Sequence, residues 1–323
     1  MIEVPQRRPA TGLFACYYLD HTFINARKLA VLSSEMKQAF HPLFHDALLV
    51  CTCHRVEAYF PYLPDPDPIE AVLGIRSRCI TGETQLRIRL TGICCGVESM
   101  ILGEKFIFHQ VAQAVNELPK DHAMKSFGET VLEQSGQIRR RHGFYADGDY
   151  EDITISLIDK LADAPSFTTL VVVGAGMLSQ QVARHAGENC CENVIMVTRV
   201  AKKFRKKNRD TVYPYQVCSL NTLPGDLYDT PYHCFIATTN IHKDYQARLF
   251  DMIGRQNCRS VIDMSSIPAF QSAGLPGKSY ITMYDAPYLE EVDRSNAKIE
   301  KKKKLVESEI FKRSHQISIG ENQ

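Results

Sequence analysis

The densest chemistry in the chain lies in the run Cys51-Thr52-Cys53-His54-Arg55-Val56-Glu57-Ala58-Tyr59. Thiol, imidazole, guanidinium and carboxylate share one short stretch. A free thiol titrates near ~8.5, and adjacent positive charge lowers that value. A thiolate there suits a reaction that holds an acyl group as a thioester before reducing it, a task for which cysteine is the best side chain. Two other readings stay open. Cys51, Cys53 and His54 could ligate zinc, but zinc sites generally add a second ligand pair, and none is well placed. Alternatively, both cysteines are core residues at a strand end; a Cys51–Cys53 disulfide would be strained at that spacing.

A second chemical signal is Val173-Gly174-Ala175-Gly176-Met177-Leu178-Ser179, which directly follows an apolar run and opens a helix expected from Met177 to about Asn189. In that context a G-x-G pattern holds a pyrophosphate. Gly174 permits the tight turn, Gly176 lets the backbone approach, and the helix N-terminus supplies unpaired N–H groups. Ser179 stands where a third glycine is usual and is still small enough for close helix–strand packing. The next apolar run ends in Thr198-Arg199, with Lys202, Lys203 and Arg205 after it, where an acidic residue would hold the ribose hydroxyls of NAD. A guanidinium there fits a 2′-phosphate, so NADP is expected over NAD. Gly277-Lys278-Ser279 ends like a phosphate-binding P-loop but lacks the upstream glycine, Ser272 standing in its place.

These residues need a frame. At roughly 150 residues per domain, 323 residues predict two domains with an extension. Hydrophobic residues at 44% and charged residues at 23% exclude a disordered or fibrous chain. Lys plus Arg at 38 against Asp plus Glu at 37 argues against nucleic-acid binding by bulk charge. Eleven cysteines, an odd count that includes the adjacent pairs Cys94–Cys95 and Cys190–Cys191, do not read as a secreted disulfide framework. The start MIEVPQRRPATG has no signal-like apolar core, and no apolar run approaches the ~18 residues that would span a bilayer. A cytoplasmic protein without membrane contact is expected.

Along residues 1–150, Pro61 to Pro68 reads as a proline-punctuated loop. Helices are expected from Val97 to Leu118, closed by Pro119, and from Ala123 to Arg141, stopped by Gly143. From about Phe167 the grammar alternates. Apolar runs at Leu170–Val173, Val194–Val197, Cys234–Ala237, Val261–Met264 and Tyr280–Met283 are separated by helical or polar stretches, which predicts parallel strands in a doubly wound α/β domain to about 285. Tyr288 to about Ser314, free of Pro and Gly, reads as one long helix.

Taken together, the chain resembles glutamyl-tRNA reductase. That family's signature S-T-C-N-R-x-E-x-Y aligns with Cys51 to Tyr59. A second signature, A-S-G-L-D-S-x-x-L-G-E-P-Q-I-x-x-Q, aligns with Cys94-Cys95-Gly96-Val97-Glu98-Ser99, Leu102-Gly103-Glu104-Lys105-Phe106-Ile107 and Gln110. The glycine loop, Thr198-Arg199, Ala237-Thr-Thr-Asn240, Ile262-Asp263 and Tyr284-Asp285 follow in the family's order. The resemblance implies an α+β catalytic domain over 1–150, a Rossmann-type NADP-binding domain over 151–285, and a long helix over 286–323 that is the remnant of a dimerisation domain. It implies NADPH-dependent reduction of glutamyl-tRNA to glutamate-1-semialdehyde, at the start of tetrapyrrole synthesis, with Cys53 carrying the thioester. Thr52, His54, Arg55, Ser99, Glu104 and Gln110 would line the glutamate pocket, with Lys105 and Phe106 at its edge. Residues Gly174 to Ser179 and Arg199 would hold the cofactor. Glutamyl-tRNA is then the partner, with the downstream aminomutase as a second, and the shortened C-terminus weakens the expectation of a homodimer.

The departures from the family pattern are specific. Its Asn after the nucleophile is His54. Its Pro-Gln after Glu104 is Lys105-Phe106. Its functional His seven residues before Gly96 is Arg89, which could polarise a carbonyl as a fixed charge but cannot shuttle protons near neutral pH. A different NADP oxidoreductase of shikimate-dehydrogenase type, or a family member that binds tRNA or NADPH without turnover, therefore remain alternatives. Arg139 to Arg141 and lysines 301 to 304 are the candidate phosphate contacts for tRNA.

Overall fold

A computed structural model describes residues 13–38, 44–52, 54–161, 169–238, 241–270, 275 and 278–320. Cys53 lies outside the described residues, as do positions 239, 240, 272 and 277. The chain divides into two compact units: Met1–Asp147 with Asn296–Gln323, and Gly148–Ser295.

The first unit is built on an antiparallel sheet of β1 (Ala15–Asp20), β2 (Leu48–Cys51), β3 (Arg55–Phe60) and β4 (Arg78–Thr81), in the order β2-β3-β1-β4. Helices α1 (Ala26–Gln38) and α2 (Pro66–Leu73) precede α3 (Glu83–Cys95), α4 (Phe106–Glu117) and α5 (Ala123–His142). Side chains alternate across a strand, so each strand feeds two cores. Tyr17, Leu19, Val56, Ala58 and Phe60 pack with Leu29 of α1 and Ile69 and Leu73 of α2. Cys16, Leu48, Val50 and Tyr59 pack with Leu86 and Leu90 of α3, Val111 of α4 and Val131 of α5.

Two expectations change in this unit. The run Pro61 to Pro68 is not wholly loop. Pro66 and Pro68 lie in the first turn of α2, where the missing N–H groups have no helical partner to lose, and the Asp65 side chain accepts from Asp67 N as the cap. The single helix from Val97 to Leu118 is not formed; helix begins only at Phe106. Gly103 turns the chain in the left-handed region at φ 68°, and a Cβ there would lie 3.0 Å from Ala146 N. The Glu104 carboxylate then caps α4, accepting from the N–H groups of Phe106 and Ile107. The apolar spacing that suggested a helix is real, but part of it belongs to a loop buried on the protein side. The expected helix from Ala123 is present, and Gly143 ends it at φ 53°.

That loop is held from two sides. Asn296 accepts from Leu102 N at 2.8 Å and donates to Met100 O at 2.9 Å. Arg139, buried on α5, donates to the carbonyls of Cys94, Gly103 and Glu104 at 3.2, 2.7 and 2.9 Å. Arg139 is therefore a structural clamp and not a surface contact for tRNA phosphate. Its neighbour Arg141 pairs with Glu309 at 2.8 Å, and Lys302 donates to Gly143 O at the C-terminus of α5.

The second unit contains α6 (Tyr150–Leu161) and a six-stranded sheet of β5 (Thr169–Val173), β6 (Asn193–Val197), β7 (Gln216–Cys218), β8 (Tyr232–Ile236), β9 (Cys258–Asp263) and β10 (Ser279–Thr282). All pairings are parallel, in the order β10-β9-β8-β5-β6-β7. This is the doubly wound Rossmann-type order, which reverses direction between β5 and β8. The five apolar runs are all strands. The sixth strand, β7, is three residues long and carries too few apolar positions to stand out. Helix α7 (Met177–Asn189) follows β5, α8 (Ala201–Lys207) follows β6, and α9 (Lys243–Gly254) follows β8. Val171 and Val173 pack with Leu249 and Ile253 of α9, while α7 packs on β5 and β6. Lys278, from the P-loop-like tripeptide, donates to the carbonyls of Arg255 and Cys258 and so ties a loop.

The long helix α10 (Ala286–Gly320) is longer at both ends than its charge pattern indicated. Its residues from Asn296 onward belong to the first unit, where Ile299, Val306 and Ile310 pack against Val97, Leu102, Ile138 and Phe144. Among the described residues no helix is long and apolar enough to cross a membrane.

Replacing Arg139 with Met leaves three buried carbonyls without their charged donor. At about 1–3 kcal/mol for each buried group left unsatisfied, and allowing for partial relaxation, Arg139→Met is expected to lower stability by about 3 kcal/mol, read as a lower urea midpoint at unchanged slope.

Candidate functional site

In the first unit the site forms around the β2–β3 connection. Thr52 N donates to Arg55 O at 2.8 Å, His54 N donates to the Thr52 hydroxyl at 3.2 Å, and His21 N, just past β1, donates to His54 O at 3.1 Å. Thr52, His54 and Arg55 are thus held together by backbone geometry. The His21 and His54 rings meet edge to face at 5.4 Å. Burial, with the His54 and Arg55 charges beside it, keeps His21 below the usual imidazole value.

Arg55 and Glu57 lie two apart on β3 and share a face. Arg55 is buried, and its Nη2 donates to Glu98 O at 3.1 Å. Its Nη1 lies 3.5 Å from Glu57 Oε1 and 3.7 Å from Glu98 Oε2, while Nε and Nη1 make no hydrogen bond to any described residue. Glu57, fully buried, accepts from Arg89 Nη2 at 2.8 Å and Nε at 3.0 Å, and from the Tyr59 hydroxyl. Arg89 also reaches Asp20 at 3.2 Å and lies 3.6 Å above the Tyr18 ring centroid. Burial opposes the charge on Arg89, but Glu57 more than compensates and holds the guanidinium protonated. Asp20 is likewise penalised by burial, yet hydrogen bonds from Thr22 and Arg89 hold its carboxyl below the usual value.

The remaining residues named from sequence are spread more widely. Ser99 lies 3.5 Å from the Glu104 carboxylate, which caps α4. Lys105 precedes α4 and its Nζ lies 5.6 Å from the Phe106 ring, while Phe106 itself is buried. Gln110 lines a cavity shared with Leu49, Cys51, His45 and His122. Glu98, Asp20 and His21 escaped the sequence reading. Glu98 sat inside a recognised signature and its charge was available as a signal; Asp20 and His21 join the site only because β1 pairs with β3. Among the described residues no group of three His, Cys, Asp or Glu side chains is placed to hold a metal ion. Burial pushes the thiols of Cys16 and Cys94 up, and that of Cys95 up to about 12, as befits core residues.

The second unit carries a cleft at the carboxyl ends of β5, β6 and β8, lined by Gly174, Ala175, Gly176, Thr198, Arg199 and Tyr245 among others. Gly174 adopts φ 126°, and a Cβ there would come within 2.3 Å of Ala237 O, so the turn admits glycine alone. Nothing lies within 4 Å of a Cβ built on Gly176, and no side chain caps the N-terminus of α7 there. The geometry fits a dinucleotide pyrophosphate: open backbone at Gly176, free amide groups at the helix start, and the strand-order reversal of the fold. Met177 and Leu178 open that helix. Ser179 is buried, and its hydroxyl donates to Ala237 O at 3.3 Å, so it closes the helix–strand contact from within.

The chain thus combines an antiparallel α+β unit with a doubly wound unit that carries a dinucleotide-type cleft. Residues 19–142 match the model of the glutamyl-tRNA(Glu) reductase N-terminal domain, and through that domain the chain is similar to glutamyl-tRNA reductases. It is 28% identical over 306 residues to Protein nfe2 of Rhizobium meliloti, covering 91% of this chain and 96% of that protein. It is 24% identical over 222 residues to the glutamyl-tRNA reductase of Photobacterium profundum, and 26% over 198 residues to that of Methanocaldococcus jannaschii, covering 62% and 58% of this chain. It spans about half the length of those two enzymes, 52% and 49%. A solved glutamyl-tRNA reductase from Methanopyrus kandleri superposes with TM-score 0.47 at 19% identity, covering 95% of this chain and 80% of that one.

Arg89→Met strands a buried carboxylate and is expected to cost about 3–5 kcal/mol of unfolding free energy, measured by chemical denaturation. The depressed value of Asp20 adds a pH signature. Its stabilisation is complete above the unfolded carboxylate value near ~4 and disappears as pH falls through the lower folded value. The acid limb of the stability–pH curve should therefore be shallower in Asp20→Asn than in the parent protein.

Proposed function

We propose that the chain is an NADPH-dependent glutamyl-tRNA reductase acting through Cys53. The observation that carries this reading is Arg55: a buried guanidinium at the start of β3, two residues after Cys53 in sequence, fixed by Glu98 O and flanked by Glu57, with Nε and Nη1 still without a hydrogen bond among the described residues. A planar fork of that kind binds a carboxylate in bidentate fashion, and the free carboxylate of a glutamyl ester is its natural ligand. Thr52 and His54 order the turn, and Ser99 and Glu104 order the loop that presents Glu98.

In this mechanism the Cys53 thiolate attacks the ester carbonyl that joins glutamate to tRNA. A C–S bond forms, the C–O bond to tRNA breaks, and the departing ribose oxygen takes up a proton. Arg55 holds the glutamyl carboxylate meanwhile, which keeps the thioester in one orientation. The cleft residues Gly174 to Leu178 would hold the pyrophosphate of NADPH and Arg199 the 2′-phosphate, and the bound cofactor would supply the hydride. Two-electron reduction of the acyl carbon, with one proton, releases glutamate-1-semialdehyde and restores the Cys53 thiol. Arg89 spends its hydrogen bonds on Glu57 and Asp20, so its place is to orient the partner of Arg55. The downstream aminomutase is the expected consumer of the aldehyde, and the cytoplasm the expected compartment.

A second reading, a tRNA- or NADPH-binding protein without turnover, draws on the same Arg89. The family pattern has a titratable His there, whereas this guanidinium is locked in ion pairs. Single-turnover assays with charged glutamyl-tRNA and NADPH separate the two. Parent protein is expected to form the aldehyde, and Cys53→Ser to lose at least about a thousandfold in rate. Equal turnover in Cys53→Ser would overturn the assigned nucleophile, and no turnover in well-folded parent protein would favour the binding reading.

A further inference from the structure

Cofactor choice in this cleft rests on an exposed side chain. Arg199 follows β6 at the position where a dinucleotide site selects between a ribose hydroxyl and a ribose phosphate. An unrestrained arginine on the surface pays conformational entropy whenever it closes on a ligand. Arg199 has an aromatic neighbour: its guanidinium carbon lies 6.0 Å from the centroid of the Tyr245 ring. Tyr245 comes from α9, a different element from the strand that carries Arg199, yet both line the same cleft with Gly174, Gly176 and Thr198. The ring is half-buried and packs on the hydrophobic core of the second unit, so its position is set by the sheet and not by solvent. Burial pushes the Tyr245 phenol up to about 12, against the pull of Arg199 and Arg248, so it is neutral at physiological pH and offers Arg199 a π face without a competing charge.

We propose that Tyr245 is a positioning residue that sets the preference for NADPH over NADH. Its ring holds the Arg199 guanidinium against the cleft wall, so that a 2′-phosphate meets a donor fork already in place. The inference rests on the NADPH reading above. A phosphate gains from this arrangement and a ribose hydroxyl does not, so the effect falls on one cofactor only.

The test is titration of the full chain with NADPH and with NADH, comparing parent protein, Tyr245→Phe and Tyr245→Leu, with thermal melting alongside. Parent protein is expected to bind NADPH more tightly. Tyr245→Phe keeps the ring and should keep the preference. Tyr245→Leu should weaken NADPH by about fivefold while NADH changes by less than about twofold, the size of one exposed cation–π contact. A purely structural role would weaken both cofactors alike. An unchanged NADPH-to-NADH ratio in Tyr245→Leu, or equal loss for both, overturns the proposal while leaving the cofactor reading intact. Absence of saturable NADPH binding by parent protein overturns the cofactor reading, and this proposal with it.

Discussion

Glu57 is a carboxylate with no solvent exposure at the centre of a β-sheet. Burying such a charge costs several kcal/mol unless it is paired and hydrogen-bonded, and the first unit is arranged to meet that demand. Tyr59 donates from the same strand, Arg89 reaches across from α3, and Asp20 at the end of β1 pairs with that same guanidinium. Arg55, two residues earlier on β3, also lies beside Glu57. One group therefore serves two guanidinium groups: the carboxylate that pairs with Arg89 also lies 3.5 Å from Arg55 Nη1.

A second constraint shapes the segment between α3 and α4. Its backbone is buried but not helical, so its carbonyls and amides need partners from elsewhere. Arg139, Asn296 and the Glu104 carboxylate provide them. Glu104 resembles a site residue in sequence because it lies within the second signature, and Arg139 because it opens a basic cluster. In the fold one is a helix cap and the other a backbone clamp. Ser99 and Glu98 are what this scaffold presents, and Glu98 is the member that reaches Arg55.

The second unit makes a different use of its residues. A parallel sheet buried on both faces demands continuous apolar strands, and that demand made the strands readable in advance. The cleft, by contrast, is assembled from three strand ends and one helix. Gly174 fits because a larger residue would strike Ala237 O, a neighbour 63 positions away that only the β5–β8 pairing brings close. Ser179, outwardly a degraded glycine, uses the same neighbour as a hydrogen-bond acceptor.

What the sequence by itself determined is local or periodic: the parallel strands, the helices from Ala123 and Met177, the long terminal helix, the glycine turn, and the motif that carries Cys53, Arg55 and Glu57. Period-two and period-3.6 patterns and left-handed glycines act over a few residues, so they survive as text. The tertiary structure alone decided which charges meet. Asp20, Glu57 and Arg89 lie on β1, β3 and α3, and their ion pairs follow from antiparallel register and helix packing across 69 positions of chain. It also decided that 97–105 is loop, that Arg139 points inward, and that Tyr245 stands over Arg199. The physical reason is common to all of these: the cost of a buried charge or an unpaired backbone group is met by whatever side chain the fold brings within hydrogen-bond reach, and spacing along the chain does not encode that distance.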